Sequence, residues 1–205
     1  ERGYFPEAFT NMLAFLGWNP GTNEELFTLS ELVEAFTLDR VGKSGAKFDA
    51  QKALWYQQQY LRTKENAEIA QLINHYLPEN EYSSENIQEI CGLMKERETF
   101  LNDIISEVEY FFNTPTSYDA KTVKKKWKEQ TPLLLNELLE DFNQISDFKH
   151  DEIEKVFSEF LNKKEIGFGQ IGPALRLAVT GKGMGPSLFS ICEILGKQKT
   201  LQRIS

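Results

Sequence analysis

Apolar residues recur along most of this chain at three- and four-residue spacing, and short runs rich in Gly, Pro, Ser and Asn separate the periodic stretches. Pro6 opens the first, with Phe9, Met12, Leu13 and Leu16 on one face, and Gly17 closes it before the turn Trp18-Asn19-Pro20-Gly21. Thr28-x-x-Glu31 is a capping box for a helix over 31–36. A connector over 39–49 leads to a long helix carrying Leu54, Trp55, Gln58 and Leu61. A helix over 65–76 places Ile69, Leu72 and Ile73 together and stops at Leu77-Pro78-Glu79-Asn80. Ser83 or Ser84 caps the next, with Ile87, Ile90, Cys91 and Met94 inward. One further helix buries Phe100, Ile104, Ile105, Val108, Phe111 and Phe112 and ends at Asn113-Thr114-Pro115.

Asp119 caps a helix whose core face is Val123 and Trp127. Thr131 and Pro132 fit the N-cap and first position of a helix with Leu134, Leu135, Leu138, Leu139 and Phe142 inward. Ile153, Val156, Phe157, Phe160 and Leu161 make the next stripe. The last stretch, 172–204, begins as an apolar run around Arg176, breaks at Thr180-Gly181-Lys182-Gly183-Met184-Gly185-Pro186, and resumes over 188–195. That Gly and Pro cluster cannot continue a helix, so it predicts a tight corner between two. No stretch alternates as a strand does. The chain therefore reads as all-α, in three small helical modules over 1–64, 65–118 and 119–205.

Composition narrows the class. The 205 residues carry 40% hydrophobic and 26% charged side chains, an ordinary globular balance. No apolar run is long enough for a membrane span or signal peptide, and the chain begins at Glu1 without Met, which reads as a piece of a longer polypeptide. Cys91 and Cys192 are isolated, as expected of buried thiols in a reducing compartment such as the cytoplasm. His75 and His150 stand far apart and predict no metal site. The net charge of −8 argues against a generally nucleic-acid-binding surface, and the lack of a basic recognition helix argues against a helix-turn-helix DNA binder. Locally the balance reverses: over 181–205, Lys182, Lys197, Lys199 and Arg203 face only Glu193, four cations less one anion, or +3.

The last corner is the strongest candidate for chemistry. Arg176, the backbone donors of a Gly-rich turn and a Leu188-Phe189 pair that reads as exposed together suit unstacked nucleotide bases. The same residues fit a plain helical hairpin whose Arg176 snorkels from the core. Lys121, Lys124, Lys125, Lys126 and Lys128 around Trp127 could track phosphates beside a stacking platform, but the spacing of Val123 and Trp127 favours a core face with solvated lysines. Gly42-Lys43-Ser44 is no phosphate loop, because that motif needs a Gly where Thr37 stands. No nucleophile, acid–base or zinc-protease motif occurs.

The motif LR-x-A-x-TG at 175–181, then P-x-LF at 186–189 and LGK-x-x-x-L-x-R-I at 195–204, resembles the C-terminal end of bacterial-type glutamyl-tRNA synthetases. GY-x-PEA-x-x-N-x-L-x-x-LGW at 3–18, followed by F-T-L-x-EL from Phe27, resembles their stem-contact domain. Gly42 and Gly45 depart from the usual pattern there, as Met184 and Ser187 do at the corner. The resemblance implies a stem-contact domain over 1–64 and two anticodon-binding subdomains, 65–118 and 119–205, forming a helical cage. It implies that Arg176, Gly185, Pro186, Leu188 and Phe189 contact the anticodon. Arg97 stands where the family places the arginine reading the third anticodon base, which implies the type that charges only glutamate tRNA. The motifs for ATP chemistry are absent, so ATP and Mg²⁺ are expected to act in a catalytic domain preceding this chain, with no cofactor in the chain itself. The expected partner is glutamate tRNA, bound by a monomer, with neither DNA nor membrane. The competing expectation is an acidic helical module that docks a protein through Leu188-Phe189.

Overall fold

The structure is a computed structural model, and it describes residues 3–43, 45–79 and 81–205. Glu1 and Arg2, Ser44 of the Gly42-Lys43-Ser44 triplet and Asn80 of the turn after Pro78 lie outside the described residues. Among the described residues there is no strand, only an isolated antiparallel bridge between Trp18 and Val41. The all-α expectation holds. The chain forms two compact units: Glu1–Leu77 with Met94–Ser106, and Pro78–Leu93 with Glu107–Ser205.

The first unit holds α1 (Pro6–Ala14), α2 (Leu29–Ala35), α3 (Ala50–Thr63), α4 (Asn66–Ile73) and most of α6 (Leu101–Glu107). Thr28 and Glu31 form the expected capping box, each side chain taking the other's backbone amide. Asp49 caps α3 by accepting the Gln51 amide at 2.8 Å. The inward face of α1 differs from its apolar stripe. Ala8, Asn11 and Met12 are buried, whereas Phe9 and Leu13 are 38% and 46% exposed. The reason is polar: the Asn11 side-chain oxygen accepts the Phe27 amide and the Tyr60 hydroxyl, both at 2.8 Å, and a buried amide must face its partners. Gln57 on α3 does the same for the Phe5 amide at 2.7 Å. Met12, Ala53 and Tyr56 then form the core beside Trp18, Phe27 and Leu32.

The second unit holds most of α5 (Ser84–Lys95), then α7 (Glu109–Phe112), α8 (Ala120–Lys126), α9 (Thr131–Asn143), α10 (His150–Lys164), α11 (Phe168–Thr180) and α12 (Leu188–Ile204). Of the two candidate caps it is the Ser83 hydroxyl that accepts an amide of α5, that of Asn86 at 3.2 Å. The single helix expected over 100–112 is two, α6 and α7, because the chain passes from one unit to the other after Ser106 and its inward stripe changes there. Leu135, Leu138, Phe142, Ile153, Phe157 and Phe160 are buried, as are Ile171, Leu175, Val179, Ile191 and Leu195; α9 packs on both α11 and α12, and α10 packs on α9 and α12. Both cysteines are buried and free. Burial pushes the Cys91 thiol up to about 11 and the Cys192 thiol up to about 12, so neither is a thiolate near neutral pH. No helix among the described residues is long and apolar enough to cross a membrane.

Candidate nucleic-acid interface

The corner between α11 and α12 is built from local rules. The Gly167 amide donates to the Gln170 side chain at 2.8 Å where α11 begins. Pro173 sits inside the helix and has no N–H for the carbonyl four residues earlier. That carbonyl, Gly169, accepts instead from the Lys126 ammonium of α8 at 3.2 Å. Gly181 ends α11 at φ +71°, in the left-handed region, with its amide on Leu177 O at 2.8 Å. Its own carbonyl takes the Asp119 amide at 2.9 Å, which ties the corner to the start of α8. The Thr180 hydroxyl donates to Arg176 O at 2.8 Å and accepts the Lys182 amide at 3.0 Å. Ser187 caps α12 by accepting the Ser190 amide at 3.3 Å, and the His150 ring lies 3.3 Å from the same hydroxyl.

Arg176 lies across this corner, half-buried, and donates from Nη2 to Pro186 O at 2.8 Å. Gly185 makes room for it: a Cβ there would stand 2.8 Å from Arg176 Nη1. The guanidinium, a planar fork of donors, is thus held in one orientation by the turn it faces. Met184 is 77% exposed and Ser187 is exposed beside it.

The expected exposure of Leu188 and Phe189 is corrected here. They are 3% and 9% exposed, and Pro186 is buried with them. The first turns of α12 bury Leu188, Phe189, Ile191, Cys192, Ile194 and Leu195, so these turns have little outward face. The Phe189 ring packs 5.4 Å from Phe157 and 5.9 Å from His150. These residues shape the corner from inside. A protein docked through an exposed Leu188-Phe189 has no surface to meet.

The four cations after Gly181 are also engaged within the second unit. Lys182 pairs with Glu107 at 3.1 Å, Lys197 donates to Asn143 O and Ile145 O at 2.7 and 2.9 Å, and Lys199 lies 4.7 Å over the Tyr82 ring. Arg203 donates to Tyr110 O at 2.7 Å, Val179 O at 2.8 Å and Asn113 O at 3.1 Å. Their first task is to close carbonyls and pair carboxylates, which a charge count along the sequence does not reveal.

Arg97 belongs to the first unit. It is exposed in the turn after α5, its amide on Met94 O at 2.9 Å. Its neighbours are fixed: Arg62 donates to Glu96 O at 2.9 Å and Lys95 to Lys64 O at 2.9 Å. A rigid turn therefore presents the Arg97 side chain.

A profile for the family described as anticodon binding domain matches residues 68–205, two-thirds of the chain and the whole of the Arg176 corner. The chain belongs to the anticodon-binding domain family. Its relatives extend the match upstream. The glutamate–tRNA ligase of Christiangramia forsetii is 45% identical over all of this chain and 41% of its own length. That of Flavobacterium johnsoniae is 46% identical over the same shares. Among solved structures, a glutamate tRNA ligase from Elizabethkingia meningosepticum, crystallised with its amino acid, superposes on 98% of this chain and 40% of its own, with TM-score 0.90 and 39% identity. This anticodon-binding chain thus spans about two-fifths of the length of the relatives it matches.

Proposed function

We propose that the chain holds glutamate tRNA for a glutamate–tRNA ligase, as its C-terminal, tRNA-binding part. Residues 1–64 meet the stem, while 65–118 and 119–205 read the anticodon, in a cytoplasmic protein acting as a monomer. The observation that carries the reading is the Arg176 corner: a guanidinium fixed by Pro186 O beside Gly185, inside the span matched by the anticodon-binding family. Arg176 donates to the edge of one base while Met184, Gly185 and Ser187 border it, and Pro186, Leu188 and Phe189 set its position from beneath. Arg97 donates to another base and rejects a base whose edge offers a donor. That selectivity favours charging of glutamate tRNA alone.

ATP and Mg²⁺ are assigned to the part of such a ligase that this chain does not match. The residues here do not fit them: the described residues hold no group of three carboxylate, His or Cys ligands, and Gly42 lacks the earlier Gly of a phosphate loop.

The test compares glutamate tRNA with a copy changed only at the anticodon. Arg176→Ala weakens binding of the cognate tRNA by about 1–3 kcal/mol and leaves the altered copy nearly unaffected. Arg97→Ala relaxes discrimination at the third anticodon base by a similar amount. Unchanged preference in both variants, measured by filter binding in moderate salt, contradicts the reading.

A further inference from the structure

The lysine-rich helix α8 has a property that its spacing concealed. Val123 and Trp127 do not enter the core; they are 37% and 39% exposed. With Tyr118, itself 51% exposed, they wall an open groove of about 360 Å³ whose floor is the buried Leu177 and Ala178 of α11. A cleft of that size suits a small planar group, since ligand clefts run from about 300 to 1,000 Å³. Its setting is cationic although the chain carries a net charge of −8. Lys121, Lys124, Lys125, Lys126 and Lys128 lie within one short stretch, and 166–186, which includes the groove floor, contains no acid. α8 itself carries no acid; Asp119, its N-cap, accepts the Thr122 amide at 2.7 Å, and Glu129 follows the lysine stretch. Lys124 and Lys126 occupy helical positions on either side of the Val123–Trp127 face.

We propose that this groove takes one unpaired nucleobase of a bound RNA, stacked on Trp127 and Tyr118, with the phosphates on Lys124 and its neighbours. Charge complementarity selects a polyanion, and two aromatic faces over an aliphatic floor select a base within it. The groove adjoins the corner already described. Gly183 of the corner packs so closely on Thr122 of α8 that any Cβ would collide with its hydroxyl. Leu177 of the floor directly follows Arg176 along α11. An RNA held at the corner therefore runs beside the groove. The proposal rests on the reading that the partner is RNA, but not on which bases Arg176 distinguishes.

The experiment is a titration of the 205-residue chain with fluorescently labelled hexa-adenylate, followed by anisotropy. Trp127→Ala is expected to weaken binding roughly 5- to 150-fold, the worth of one stacked base, while Trp127→Phe stays within about three-fold of the wild type. Lys124→Gln lowers the salt slope by about one and weakens binding less. Hexa-adenylate carries no anticodon, so its binding reads this groove apart from anticodon reading. If Trp127→Ala unfolds the chain, Tyr118→Leu at its exposed site reads the same stacking. Binding unaffected by either aromatic substitution overturns the proposal, as does no binding by the wild type. It is also overturned if Trp127→Ala dissociates a dimer in sedimentation while RNA binding persists, because the groove is then an interface between copies.

Discussion

Truncating Phe157 to alanine lowers the unfolding free energy by about 3–5 kcal/mol, the usual range for deleting a fully buried aromatic ring. Phe157 is 1% exposed on α10, and its ring lies between two others, 5.4 Å from Phe189 and 5.6 Å from Phe168. Phe189 is the second residue of α12, just after the corner, and Phe168 is the first of α11. Phe168 in turn occupies the space where Gly172 would carry a Cβ, within 2.5 Å of that position. One side chain therefore links the beginnings of both helices that carry the candidate site. The loss is read as a lower urea midpoint by circular dichroism. Amide exchange over 181–187 quickens in the same variant, since Phe189 loses the neighbour that seats it. Phe157→Leu keeps most of the volume and recovers more than half of the stability. A loss below about 1 kcal/mol for the alanine variant contradicts this account.

Most of the helices were legible because their caps and stripes are local. Thr28 with Glu31 and Asp119 cap as their spacing says, and Ile87, Ile90, Cys91 and Met94 are buried as their stripe says. The α11–α12 corner was legible for the same reason, since Gly181 and Pro186 forbid a continuous helix. What was not legible depends on partners distant in sequence. Asn11 turns α1 toward Phe27 and Tyr60, residues 16 and 49 positions away. Phe189 looked exposed because it follows a Gly-rich turn, yet His150 and Phe157 come to it from α10. Val123 and Trp127 looked like a core face because they share a helical side, but a shared side does not say which helix covers it. The role of Gly185 has a faint local signal, a Gly nine residues after an arginine in a turn. Only the folded corner reveals that its missing Cβ accommodates Arg176.

Replacing Arg203 by alanine costs about 2–4 kcal/mol, although a sequence count makes it one more surface cation. Its guanidinium donates to the carbonyls of Tyr110, Asn113 and Val179. Val179 is in the last turn of α11, and Tyr110 and Asn113 lie at the end of α7. The last carbonyls of a helix have no partner within it, so Arg203 closes two helix ends at once and sets a positive charge at the negative end of both dipoles. Burial works against its charge and moves its pKa down, but three charge-assisted bonds outweigh that cost. Arg203→Lys keeps the charge and loses the fork, so it restores only part of the stability; a lysine variant as stable as the wild type would show that charge alone matters. The consequence reaches the candidate site because α11 carries both Val179 and Arg176. An unclosed α11 end lets the turn at Gly181 move and with it the Pro186 carbonyl that orients Arg176. Arg203→Ala therefore reduces discrimination between cognate and anticodon-changed tRNA without contributing any base contact of its own, and Arg203→Lys sits between the two. Full discrimination in a destabilised Arg203→Ala chain would separate the helix closure from the corner and leave Arg176 held by Pro186 alone.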